Sequence, residues 1–549
     1  VPVNSTSNTY SSTRTLRIGG LATGLDVDSI IQDLMRIEQT KVDRLKQERQ
    51  LVEWRKEAYR EITNLLRAFQ DEFFSVLKTD TYMLSSNRYR TFSVTSSAES
   101  YVMATANASA MEGKYVITAI ESLATPTIVK GIDTTNDGSP IIPDGKSLDS
   151  TLEELGYVQA GSTVKFQING VEFSFSSTAT MRQVMNQVST NDKAGVNFFY
   201  SSIEKRFIIQ TKATGSSTRN LTLDDVEGTF LQYLGLTEEN IIPDSGTDAK
   251  VYFQKVGSNE SILWSSPTNT FTIDGVTYTL KNTTPEGMAP ITITVAQDVD
   301  RAYNAIKNFV DKYNELIDKI NGKLNEERFR DYLPLTDAQK KEMSEKEIEL
   351  WEQKAKSGLL RGDSILQNIV YSMRRALSDA VAGVGISLSS IGITTGSYSE
   401  RGKLHIDEAK LKEALRNNPE QVMQLFIKKS SIDYSPNLDS TSRTQRYNES
   451  GLMYRIYDVL MDNIRTTRDQ YGRKGVLLEK AGVVGDITEF QNMMDAELKR
   501  LDKRIDAVVE AMIRQENKYW AQFTALEKAI QKMNAQSMWL MQQMGMNQS

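Results

Sequence analysis

The stretch "ITITVAQDVDRAYNAIKNFVDKYNELI", residues 291–317, passes from one structural period to another within a few residues. Ile291, Ile293 and Val295 alternate with threonines, the period of a strand with one buried face. From Tyr303 onward the apolar residues fall at Tyr303, Ile306, Phe309, Val310, Tyr313, Leu316, Ile317 and Ile320, which share one stripe of a helix. Asp298 and Asp300 stand at the change. There a carboxylate can accept from free backbone N–H groups and meet the positive end of the helix dipole. The chain therefore turns from sheet to long amphipathic helix more than halfway along its length.

Both flanks of this stretch carry the same contrast on a larger scale. Upstream, "GGLATGLDVDSIIQDLM" opens a helix at its aspartates and Ser29, with Ile30, Ile31 and Leu34 on the apolar side. The helical pattern continues to about Leu77 without proline or glycine. From about residue 89 short β-rich runs take over: "RTFSVTS", "YVMATAN" and "GKYVITAIESLA", then "TVKFQINGVEFSFSS" and "NTFTIDGVTYTL". The last two contain Asn169-Gly170 and Asp274-Gly275, pairs that suit hairpin turns with positive φ. Downstream of residue 300 the chain is helical again, except for "DYSPNLDSTSRTQRYNE" at 433–449, which has loop composition.

The final segment is the most regular. Ile505, Met512, Tyr519, Leu526, Met533 and Leu540 recur every seven residues, with Val509, Glu516, Phe523, Ile530, Ser537 and Met544 as the second series. All but Glu516 and Ser537 are apolar, which predicts a coiled-coil or bundle seam. The candidate contact residues are thus Ile30, Ile31, Leu34, Ile505, Val509, Met512, Tyr519, Phe523, Leu526, Ile530, Met533, Leu540 and Met544. A lone hairpin of two helices covers only part of such a seam, so the surplus apolar surface points to partners. Ordinary packing within one hairpin satisfies the same pattern, and the sequence leaves both open.

The fold class that results is α+β and multidomain: a long coiled-coil or bundle trunk from the N- and C-terminal segments, with inserted β-rich domains. The expected division is a disordered tail at 1–15, terminal coiled coil at 16–45 and 500–549, and a helical trunk domain at 46–86 and 300–499. A β-rich domain at 87–130 and 250–299 and a distal β-rich insertion at 131–249 complete it. The 549 residues leave room for this many domains. At 39% apolar and 25% charged the chain has the composition of globular protein, and its net charge of −6 argues against a nucleic-acid partner. No run of 18 apolar residues suggests membrane insertion, and the polar start "VPVNSTSNTYSSTRT" shows no secretory signal peptide.

Chemistry finds little support. With no cysteine there are no disulfides, thiolate nucleophiles or zinc–cysteine sites, and the single His405 excludes any multi-histidine metal centre. His405 in "GKLHID" reads as a turn or strand residue without a catalytic role. "DTTNDGS" at 133–139 lacks the spaced acidic ligands and terminal glutamate of a calcium loop, so it reads as a turn. No enzyme, cofactor or metal is expected.

Several separated motifs resemble the flagellar filament cap protein, or hook-associated protein 2, family. "GLATGLDVDSIIQDLM" is similar to its amino-terminal signature, and "GVTYTLKNTTPEGMAPITITVAQDVDRAYNAIKNFVDKYNELI" to its strand-to-helix passage. "LLRGDSILQNIV", "IGITTGSYSERGKLHIDEAKLKEALRNNPEQVMQLF" and "QFTALEKAIQKMNAQSMWLMQQM" resemble its carboxy-terminal domain and last helix. The stretch 326–357 fits the family less tightly. The resemblance implies a non-enzymatic assembly protein that forms a homo-oligomeric ring at the filament tip, where exported flagellin folds and polymerises. It also implies hook-filament junction proteins, the flagellar type III export machinery and an export chaperone as partners. An extracellular location at the flagellum tip follows, reached without a cleaved signal peptide. A surface adhesin acting through outward β domains is the second reading.

Overall fold

A computed structural model describes residues 26–135, 138–397 and 400–546, with the side chains of 544–546 left aside. The expected tail at 1–15 and the glycine-rich start of the first helix lie outside the described residues, as do residues 136 and 137 of "DTTNDGS". Two compact units result. One comprises residues up to Leu84, Ile306–Leu411 and the chain from Gln421 onward; the other comprises Ser85–Ala305 with Lys412–Glu420.

The chain opens with α1 (Val27–Phe74), 48 residues and roughly 70 Å long at 1.5 Å per residue. Asp26 caps it by accepting the Ser29 N–H at 3.0 Å. The β-rich unit follows, with β1 (Phe92–Ser96), β2 (Val102–Ala106), β3 (Gly113–Ser122) and β4 (Pro126–Lys130). Next come β5 (Thr163–Ile168), β6 (Val171–Ser176), α2 (Met181–Thr190), β7 (Val196–Ser201), β8 (Arg206–Thr214), β9 (Leu223–Glu227) and α3 (Phe230–Tyr233). β10 (Ala249–Gln254), β11 (Ser261–Ser266), β12 (Thr270–Ile273), β13 (Val276–Leu280) and β14 (Ile291–Gln297) close it.

Two cores form inside this unit. A five-stranded antiparallel sheet ordered β1-β14-β3-β10-β11 and a three-stranded sheet β12-β13-β2 enclose the first, which contains Ile117, Val251, Tyr278, Ile291, Ile293 and Val295. The alternation of the opening stretch is thus a buried face: Ile291, Ile293 and Val295 are at most 2% exposed. β3 and β10 pair with each other, so the chain leaves this sheet and re-enters it side by side; Thr125 N–H donates to the Thr247 carbonyl at 2.9 Å at that crossing. Between them, sheets β4-β8-β7 and β6-β5-β9 with α2 and α3 surround a second core that includes Phe166, Phe207 and Phe230. Asn169 and Asp274 adopt φ of 51° and 49°, each before a glycine, in the tight hairpins β5–β6 and β12–β13.

The second helical run begins with α4 (Val299–Asn325), where Asp298 accepts the Arg301 N–H at 2.9 Å. All eight residues of its apolar stripe are at most 8% exposed. Each such burial is worth about 1.5–3 kcal/mol, which holds the helix in place more strongly than propensity does. Within the helical unit, Phe309 lies 5.6 Å and 5.3 Å from the rings of Phe69 and Phe73 on α1. α5 (Asp337–Glu342) and α6 (Glu345–Lys356) fall in the stretch 326–357, each with a reciprocal capping box. They dock beside α1 through the Lys46–Asp337 ion pair and through Lys356 over the Trp54 ring at 5.0 Å.

α7 (Ser364–Ser378), the short ribbon β15 (Ile393–Thr395) with β16 (Leu404–Ile406), α8 (Glu408–Asn417), α9 (Pro419–Ile427), α10 (Ser440–Glu449), α11 (Leu452–Ile464), α12 (Val476–Ala481) and α13 (Met493–Met546) complete the chain. The stretch 433–449 differs from its loop-like composition, because residues 440–449 form α10. Asp439 caps α10, and the Arg446 guanidinium grips Asp458 of α11 through two bonds of 2.6 Å and 2.7 Å.

Just before α13, Lys474 Nζ lies 2.6 Å and 2.8 Å from the two carboxylate oxygens of Asp486. Burial works against the Asp486 charge, but Lys474 and the Thr488 N–H and hydroxyl outweigh it and hold the carboxyl at about 2. Its folded value lies below its unfolded one, so this contribution is present above about pH 4 and fades as pH falls through 2. Urea denaturation at pH 5 and pH 3 should show an acid-induced loss that is smaller in Asp486→Asn by on the order of 1 kcal/mol. An equal loss in both proteins would remove the pair from the account.

Candidate functional site

A run of exposed large apolar side chains lies on the helical hairpin of α1 and α13. Lys56 pairs with Asp495, and Arg49 with Asp502 at 2.5 Å. Seven residues back along α1 match seven residues forward along α13, so the helices run antiparallel in register. At equal rise, Asp26 stands beside about Ala525. Some twenty residues of α13, roughly 30 Å, continue past the first described residue of α1.

Burial follows this geometry. Leu501 is buried at 3% exposure, opposite the well-covered middle of α1. Ile505, Val509, Met512, Tyr519, Phe523 and Ile530 are half-buried, while Leu526, Met533 and Leu540 are exposed. On α1, Ile31 is buried at 3%, and Ile30 and Leu34 are half-buried. The structure thus places Ile30, Ile31 and Leu34 on the N-terminal part of α1 and the 505–540 residues along the facing helix; the Met544 side chain lies outside the described set. Three exposed residues outside the heptad positions extend the apolar surface: Met538, Trp539 and Met541 are 69%, 58% and 71% exposed. The seven-residue count passes over all three. Their density of large apolar side chains was the available signal.

Among the described residues no comparable arrangement of catalytic groups is present. A crevice of about 210 Å³ lies among α7, α10 and α11, but its charges are already paired: Arg443 with Asp462 at 2.8 Å and Arg446 with Asp458. His405 on β16 is an exposed residue whose Nε2 lies 3.0 Å from Glu400, and this contact holds the Glu400 carboxyl below its usual value. Among the described residues no cluster of three His, Asp or Glu side chains could hold a metal, and no helix is long and apolar enough to cross a membrane.

A β-rich double-core unit, a helical unit and a long terminal hairpin whose apolar end has no cover among the described residues are the parts of a multidomain structural protein. Comparison with known proteins agrees. Residues 246–535 match the family model for the flagellar hook-associated protein 2 C-terminus, and residues 23–127 match that for its N-terminus. Flagellar hook-associated protein 2 of Halalkalibacterium halodurans is 33% identical across 95% of this chain and 98% of its own. The Escherichia coli K12 protein of the same name is 24% identical over 95% and 97%. The crystal structure of three domains of the flagellar cap protein FliD from Escherichia coli superposes with a TM-score of 0.51 at 22% identity, covering 77% of this chain and 98% of that one. The chain belongs to the flagellar hook-associated protein 2 family.

Proposed function

We propose that this chain caps the flagellar filament, as a homo-oligomeric ring at the tip beneath which exported flagellin folds and polymerises. The observation that carries this reading is the overhang of α13, whose large apolar side chains stand in solvent with no covering helix among the described residues. A monomeric soluble protein gains nothing from such a face, whereas a leg that grips filament subunits needs it. Family membership supports the flagellar setting.

In this reading residues 16–45 and 500–549 are the leg, and the helical domain of 46–86 and 300–499 carries it. The β domains, 87–130 with 250–299 and the insertion 131–249, form the plate of the ring. The partners are flagellin, hook-filament junction proteins, the type III export machinery and an export chaperone, and the site of action is outside the cell. The methionines of the overhang suit a contact that must be remade as the filament lengthens, because an unbranched thioether repacks at low cost.

The test is complementation of a strain lacking this protein with the chain truncated before Ile505. The expected result is export of the truncated protein, unpolymerised flagellin in the medium and no filaments. Filaments of normal length from the truncated chain would dismiss the reading.

A further inference from the structure

We propose that Met533, Met538 and Met541 form an oxidation site through which two-electron oxygen donors, such as hydrogen peroxide, loosen the leg's grip. The chain has 20 methionines and no cysteine, so no thiolate stands ahead of the thioethers as the target of such oxidants. Exposure then decides which thioethers react. Met533, Met538 and Met541 are 63%, 69% and 71% exposed, whereas Met83, Met181, Met373, Met453 and Met494 are at most 1%.

The chemistry is a single oxygen transfer. The sulfur lone pair attacks one peroxide oxygen, an S–O bond forms and the O–O bond breaks. The second oxygen leaves with the protons as water, so the thioether is oxidised by two electrons and the peroxide reduced. What was a flexible apolar tip becomes a strong hydrogen-bond acceptor.

Position gives this change its consequence. Met533 is seven residues from both Leu526 and Leu540, on the same stripe of α13. The i, i+3 neighbours Met538 and Met541 lie about 140° and 80° round the helix from it, so a grip on more than one side of the helix end desolvates all three. A sulfoxide there costs nothing while the overhang is in water. Once the face is desolvated against a partner, an acceptor without a donor opposes the contact. The free protein therefore keeps its fold on oxidation and loses its docking. This consequence rests on the reading of the overhang as the filament contact.

The experiment uses the full-length chain, hydrogen peroxide and peptide mapping by mass spectrometry, with co-sedimentation on preformed flagellin filaments. Met533, Met538 and Met541 should oxidise at least about tenfold faster than Met181, Met373 and Met453. Co-sedimentation of the oxidised chain should fall about tenfold. Methionine sulfoxide reductase with dithiothreitol should restore it. The triple variant Met533→Leu, Met538→Leu, Met541→Leu keeps the apolar face, so it should bind filaments with or without peroxide. It retains Met111 and Met493, both 62% exposed, and therefore reports any effect of oxidation elsewhere. Equal oxidation rates across the methionines, full binding by the oxidised wild type, or the same loss in the triple variant would each overturn the proposal. An untreated wild type that fails to bind filaments would overturn the leg reading itself, and the loss of grip with it.

Discussion

The double substitution Leu526→Asp, Ile530→Asp should leave the isolated protein folded and abolish filament growth. The two halves of this result have separate physical causes. Leu526 is 44% exposed and Ile530 half-buried, so the new carboxylates meet water in the free chain. Aspartate also has weaker helix propensity than leucine, at a cost of about half a kcal/mol per site. Circular dichroism and thermal melting should therefore barely change. Docked against a partner, the same carboxylates would be desolvated without a counter-charge, at a cost of several kcal/mol for the pair. That exceeds what a contact built from many small apolar increments can spare. A motility assay with quantification of flagellin in the medium reads the outcome, after the mutant has been shown to be exported. Normal filaments from an exported mutant would refute the leg. A mutant that melts far below the wild type would mean that the face is already buried within the chain.

The sequence was most readable where one local pattern decides one element. The stripe from Tyr303 to Ile320 is a buried face of α4 because residues three and four apart share one side of a helix whatever lies opposite. Asn169-Gly170 and Asp274-Gly275 are tight turns because their backbone angles are set within two residues. The heptad of α13 is likewise local, but a period defines a seam and not its occupant. Only the register with α1 reveals that, among the described residues, the cover reaches no further than about Ala525. Where structure depends on distant partners, composition misled. Residues 440–449 are polar on nearly every side and carry no stripe, yet they form α10. The cause is Arg446, which is 4% exposed and held by Asp458 and by the Ile432 carbonyl at 2.6 Å. The segment 337–356 shows its capping boxes openly, Thr336 with Gln339 and Ser344 with Glu347, but nothing in it announces its docking on Trp54. Charged residues signal solvent on average, and Arg446 is an exception because a main-chain carbonyl and an acid from another element meet it.

Arg455 is the strongest such exception, and its loss should be the most destabilising single change in the helical unit. It lies on α11 and is 1% exposed, among the largest fully buried side chains of the chain. Its guanidinium donates to the carbonyls of Tyr447 at 2.7 Å, Asp379 at 2.7 Å and Ala380 at 2.8 Å, and it stacks 4.4 Å over the Tyr447 ring. Asp379 and Ala380 follow the last turn of α7, and Tyr447 lies in the last turn of α10. One side chain thus satisfies orphan carbonyls at two helix C-termini and places a cation at both negative dipole ends. Desolvation pushes its pKa below the usual arginine range, with the nearby Tyr447 and Asp379 opposing that shift. Arg455→Ala leaves three buried acceptors without donors and opens a cavity, at a cost of about 3–5 kcal/mol. Arg455→Lys keeps the charge but cannot reach three diverging carbonyls from a single nitrogen, so about half of that loss should remain. Arg455→Met preserves volume without any donor, and it should fall near the alanine variant if the carbonyls dominate and near wild type if packing does. Urea unfolding followed by the helical circular-dichroism signal separates these outcomes. A loss under about 1 kcal/mol in Arg455→Ala would mean that water reaches these carbonyls and that α7 and α10 are held together by their apolar contacts alone.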